Sequence, residues 1–138
     1  MEYSPWAQET CVLFVEENPA LCRQMRRALE KKGFKVLMAR NSIETLVIGA
    51  DYPLAIDVLV TGADTRAGHN GVELASCFRI LRPETRIILT SKRSAGTTSV
   101  VTEFEGEILY LAEPYTKEML MNAVAHPTPF SWKAEQAA

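Results

Sequence analysis

No stretch of the 138-residue chain approaches the ~20 consecutive apolar residues that a membrane-spanning helix requires. Cysteine is scarce. Cys11, Cys22 and Cys77 are odd in number and no two have metal-ligand spacing, so reduced thiols are expected rather than a disulfide framework or a zinc site. Histidine is scarcer, and neither His69 nor His126 has a cysteine or histidine partner nearby in sequence, so neither reads as a ligand or a catalytic base. No Ser/Cys–His pairing and no glycine-rich phosphate loop is present, which argues against an enzyme. Residues 1–10 lack the basic and apolar regions of a secretory leader, and a cytoplasmic protein is expected. A formal charge of −2 gives no general attraction to nucleic acid or to an anionic membrane.

What is present is patterned. Five short apolar runs recur, at Cys11–Val15, Phe34–Met38, Ile56–Val60, Arg86–Leu89 and Ile108–Leu111. Most are continuous rather than alternating, as strands buried on both faces of a parallel sheet are. Helical patterns separate them. Asn18, Pro19 and Gly33 suit the N-cap, first and C′ positions of one helix, whose apolar face is Leu21, Met25, Ala28 and Leu29. Its basic residues Arg23, Arg26, Arg27, Lys31 and Lys32 read as a solvated face. Asn41 and Glu44 have capping-box spacing for a second helix closing near Gly49. A third is expected from Gly71 to Leu81, and the last from Thr116. The segment Lys92–Gly106 is rich in poor helix formers, Thr97 to Thr102, and predicts only a short or mobile helix. The expectation is one domain at residues 11–125 with tails at 1–10 and 126–138, built as a (βα)5 unit around a parallel sheet. Trp6 and Trp132 fall in the tails.

Ligands of open α/β sheets bind beyond the carboxyl ends of the strands. There the first strand ends in Glu16 and Glu17, the third in Thr61 and Gly62, the fourth in Thr90 and Ser91, and the last in Glu113 and Pro114. Paired carboxylates are candidate ligands for a hard cation.

The order and spacing of these pieces resemble the bacterial response-regulator receiver (CheY-like) family over roughly residues 11–125. Val12–Leu21 resembles its opening strand with an acidic pair. Asp57–Gly62 followed by Gly71–Leu74 is similar to its third strand and helix, and Arg86–Ser91 and Tyr110–Tyr115 to its last two strand ends. The resemblance implies a three-layer, flavodoxin-like sandwich with strand order 2-1-3-4-5, a phosphorylation switch, and Thr90 with Tyr110 as the switch pair. It also implies a protein-partner face at roughly Lys92–Val124.

Against that pattern the chain departs at its chemical centre. The family's phosphoacceptor aspartate falls on Gly62, and its lysine before proline falls on Glu113. The loop Ala63–Asn70 is one residue longer and lacks the usual Met-Pro pair. Asp64, two residues on, is a possible substitute acceptor, although misplacement by about 1 Å already costs ~100-fold. Glu16, Glu17 and Glu113 are expected to form an acidic pocket in which each like-charge pair costs about 3 kcal/mol at ~5 Å and an effective dielectric near 20. Relief could come from a cation held weakly by Glu16 and Glu17, from protonation, from Lys92 or Arg93, or from carboxylates splayed into water. The expected function is a pseudo-receiver acting by phosphorylation-independent protein contacts, as a monomer or weak dimer, with no cofactor beyond weakly held magnesium. The alternatives are a phosphoacceptor using Asp64 and a cation- or small-molecule-sensing module using the acidic pocket.

Overall fold

The structure is a computed structural model and describes residues 10–62, 71–91, 98–103 and 106–125. Strand β1 (Cys11–Val15) lies at the middle of a sheet, in parallel register with β2 (Lys35–Ala39) on one side and β3 (Val58–Gly62) on the other. Strand β4 (Arg86–Ser91) pairs with β3, and β6 (Gly106–Ala112) with β4, again in parallel. These five parallel strands stand side by side as β2-β1-β3-β4-β6, the order expected of the first to fifth parallel strands, 2-1-3-4-5.

Alternate residues of the strands feed two cores. Val12, Phe14, Val58, Val60, Ile88 and Leu111 pack against Met25 and Leu29 of α1 (Pro19–Lys31) and Leu120 and Val124 of α4 (Lys117–Ala125). Leu13, Leu59, Ile87, Leu89 and Ile108 pack on the other face, against α2 (Ser42–Asp51) and α3 (Gly71–Leu81). Because both faces are covered, the strands are apolar throughout rather than at every second position. Helices α2 and α3 approach closely at Gly49, where a Cβ would stand 2.6 Å from the Phe78 ring. Among the described residues no helix is long and apolar enough to cross a membrane.

The caps follow the sequence with small differences. The Asn18 side chain accepts from the backbone N–H groups of Ala20 and Leu21, and Gly33 takes the positive φ of 95° expected past the end of α1. Asn41 accepts from Glu44 N at 2.8 Å, but the Glu44 carboxylate reaches back to the N–H of Arg40 rather than to that of the cap itself. Helix α2 runs two residues past Gly49, to Asp51. Thr116 caps α4 rather than opening it, its hydroxyl accepting from Met119 N at 3.0 Å.

One expectation fails. The segment Lys92–Gly106 is not helical where it is described. Thr98–Glu103 forms β5, antiparallel to β6 at the sheet's edge, with Thr98 opposite Leu111 and Glu103 opposite Gly106. Its run of threonines and valines carries two-branched Cβ atoms, which lose rotamer freedom in a helix and fit a pleated strand. The face between Lys92 and Val124 is therefore strand, strand and helix, and its first residues lie outside those described.

Two arginines tie the amino end of the sheet. Arg82 donates to the carbonyls of Gly49, Tyr52 and Leu54, closing the end of α2. Buried Arg86, from the start of β4, donates to the carbonyls of Ala123 and Val124 at the end of α4. Each places a cation where a helix leaves unpaired carbonyls. Burial lowers the Arg86 guanidinium to about 10 while the neighbouring Asp57 carboxylate opposes the shift, so it stays charged at neutral pH.

Candidate functional site

At the opposite, carboxyl end of the sheet the ladder fixes which groups meet. Gly62, the last residue of β3, is the register partner of Thr90 on β4. Alternation along the strands puts both on the face of Val60 and Ile88, above α1 and α4. Thr90 and Ser91 are buried, and the Ser91 carbonyl accepts from Glu113 N at 2.8 Å. Glu113 is thereby anchored beside the end of β4, joined to Pro114 by a cis peptide. Thr61 faces the other way. Its hydroxyl is buried and without a hydrogen-bond partner among the described residues.

The three carboxylates expected to point toward one pocket differ in their surroundings. The Glu16 carboxylate accepts from Asn18 N at 3.0 Å and so helps to close the turn into α1. Glu17 is exposed and Glu113 half-buried. Among the described residues no three Asp, Glu, His or Cys side chains come together closely enough to hold a metal ion. The magnesium implied by the family resemblance needs a further acceptor carboxylate, and Gly62 has none. The donor set among the described residues does not fit a resident magnesium.

Glu16 and Glu113 nevertheless share one neighbour that sequence reasoning missed. Tyr115 is partly buried against the α1–α4 core, and its phenol is pushed up to about 12, first by burial and then by the Glu113 and Glu16 carboxylates. Its signal was its place next to Glu113 and Pro114. The phenol stays protonated at neutral pH. Its raised value means stability that is complete below pH ~10 and lost as pH rises toward 12. The loss should amount to about 2–3 kcal/mol, and Tyr115→Phe should remove it from the difference between the two proteins' alkaline denaturation curves. Equal pH dependence in both proteins would contradict this.

Cys22 was also missed. Its thiol donates to the Glu16 carbonyl at 3.1 Å, and burial with the Glu16 charge raises its pKa against the pull of Arg26 and Arg23.

Tyr110, by contrast, packs on the α2–α3 face, opposite Leu89, so its side chain and that of Thr90 occupy opposite faces of the sheet. Asp64, Lys92, Arg93, His69, His126, Trp6 and Trp132 lie outside the described residues.

No protein-family model matches the chain. The photosynthetic apparatus regulatory protein RegA of Rhodobacter capsulatus is 27% identical over 124 residues, 89% of this chain and 65% of RegA. The alginate biosynthesis transcriptional regulatory protein AlgB of Pseudomonas putida is 29% identical over 116 residues, 83% of this chain but 25% of AlgB. The chain thus spans just under two thirds of the one relative and a quarter of the other. Among solved structures, a response regulator receiver protein from Sinorhizobium medicae superposes with a TM-score of 0.68 at 21% identity, over 86% of this chain and 93% of that one. Topology, two-sided core and these likenesses agree on the fold: the chain has the CheY-like, flavodoxin-type fold seen in response-regulator receiver domains.

Proposed function

We propose that the chain is a pseudo-receiver, a non-enzymatic cytoplasmic module of two-component signalling that acts by binding a protein partner and accepts no phosphoryl group. The observation that carries the reading is Gly62 at the end of β3, level with Thr90. Phosphoryl transfer needs a nucleophile there, and glycine offers none. Glu113 adds a negative charge where an incoming phosphoryl group needs a cation. Magnesium is held weakly at most, since one Glu16 oxygen already accepts a backbone N–H and Glu17 is exposed. The partner is taken to be protein because the net charge of −2 gives nucleic acid no electrostatic foothold on this domain. The contact face assigned to Lys92–Val124 becomes the β5–β6 edge with α4.

The test is a titration with beryllofluoride and magnesium, followed by NMR at the Thr90 and Tyr110 amides. No saturable shift is expected. Saturable shifts centred on Thr90 would mean that an acceptor carboxylate, Asp64 first among candidates, reaches the site.

A further inference from the structure

We propose that the outer face of α2 is a self-association surface, on which two copies of this chain pair through antiparallel α2 helices about a two-fold axis. Among the described residues the exposed large apolar side chains are Ile43, Val47, Leu54, Ile80 and Leu81. All five lie on α2, on the loop that follows it, or at the end of α3. Single exposed apolar residues are ordinary on a protein surface, but their confinement to one face is not. Ile43 is 67% exposed, Val47 52% and Ile80 82%. At about 100° per residue, Ile43, Val47 and Ala50 form one stripe along α2. Ser42, Thr45 and Gly49 are the helix's buried side, so the stripe is not core awaiting cover from the sheet.

The charges beside the stripe select a second copy as the occupant. Asp51 ends α2, where the helix dipole disfavours a carboxylate, and the last turn carries no basic residue. Arg40 sits just before the other end, with 75% of its side chain exposed. Its bonds to Glu44 use Nε and Nη2, which leaves Nη1 for another carboxylate. Glu44, which holds the Arg40 guanidinium, and Asp51 lie on the same flank of the stripe, within about 20° of each other. A two-fold axis perpendicular to both helices keeps equal flanks together. Passed midway between Ile43 and Val47, it sets Ile43 against the second copy's Val47. It also brings Arg40 level with the turn that holds the second copy's Ala50 and Asp51. Two symmetric Arg40–Asp51 pairs then flank an apolar centre, and each relieves an unfavourable helix end. Glu44 stands nearer the axis and is held by its own Arg40. A membrane surface would call for a basic flank, which this face lacks.

Sedimentation equilibrium of the 138-residue chain tests the proposal, with circular dichroism to verify that each variant is folded. The face is small, so a reversible dimer in the range of about ten to a few hundred micromolar is expected. Val47→Glu should weaken it at least about tenfold. Asp51→Arg should weaken it similarly by placing cation against cation, while leaving the monomer's helix better suited to its dipole. Arg40→Asp combined with Asp51→Arg should recover most of the lost affinity. A chain monomeric to about 1 mM, a dimer indifferent to Val47→Glu, or a double variant as weak as Asp51→Arg alone would each overturn the proposal.

Discussion

Gly62→Asp combined with Glu113→Lys is expected to create a site that binds beryllofluoride with magnesium, whereas Gly62→Asp alone is expected to fail. Gly62 closes β3 with no positive φ, so an aspartate there meets no left-handed backbone strain. Its carboxylate would emerge beside the Thr90 hydroxyl, the register partner across the ladder. Alone it would join Glu16 and Glu113 at the same end of the sheet. Each like-charge pair would cost about 3 kcal/mol at ~5 Å and an effective dielectric near 20. The lysine reverses the sign at Glu113, whose backbone is already fixed by its bond to the Ser91 carbonyl. An ammonium there can hold one oxygen of the incoming group while Thr90 donates to another, and Glu16 with Glu17 can then hold magnesium against the new aspartate. The difference between the variants should be all or nothing in NMR shifts at Thr90. If the unmodified protein binds the mimic and the double variant does not, Gly62 is not the acceptor position.

Arg86→Met is expected to destabilise the domain by about 3 kcal/mol, read as a lowered urea midpoint. Methionine has similar length but no donors. The substitution strips the cap from the last carbonyls of α4 and leaves Asp57 without its buried cationic neighbour. Asp57 keeps one partner, Cys11 N at 2.7 Å, which limits its share of the loss. Desolvation of the guanidinium, visible in its lowered pKa, works in the other direction and is why the expected cost is not larger. A loss below about 1 kcal/mol would show that these bonds only offset the burial of the charge.

Why one part of this fold could be read from sequence and another could not is physical. The five parallel strands are legible because a two-sided core demands continuous apolar runs, and few other structures do. Asn18 with Pro19, and Gly33, mark helix ends because each residue type does there what others cannot. Thr97–Thr102 carried the right warning, poor helix propensity, but the repeating strand–helix order pulled the expectation toward a helix. The residues themselves preferred the sheet edge. At the site, the places of Gly62 and Glu113 at the carboxyl ends of their strands were legible by counting. The fate of the carboxylates was not, because whether Glu16 caps a turn or turns to a cation depends on one backbone N–H two residues away. Tyr115 lay outside the reading because its role comes from burial against α1 and α4, which no local motif encodes. Arg82 and Arg86 were missed for the same reason, since each bonds carbonyls 28 or more residues distant.

Intact mass after incubation with a small-molecule phosphodonor and magnesium tests the central claim most directly. The Gly62 and Glu113 geometry predicts an unchanged mass at every time point, in the unmodified chain and in Asp64→Ala alike. A gain of one phosphoryl group that disappears in Asp64→Ala would contradict the account and make this chain a working receiver with a displaced acceptor.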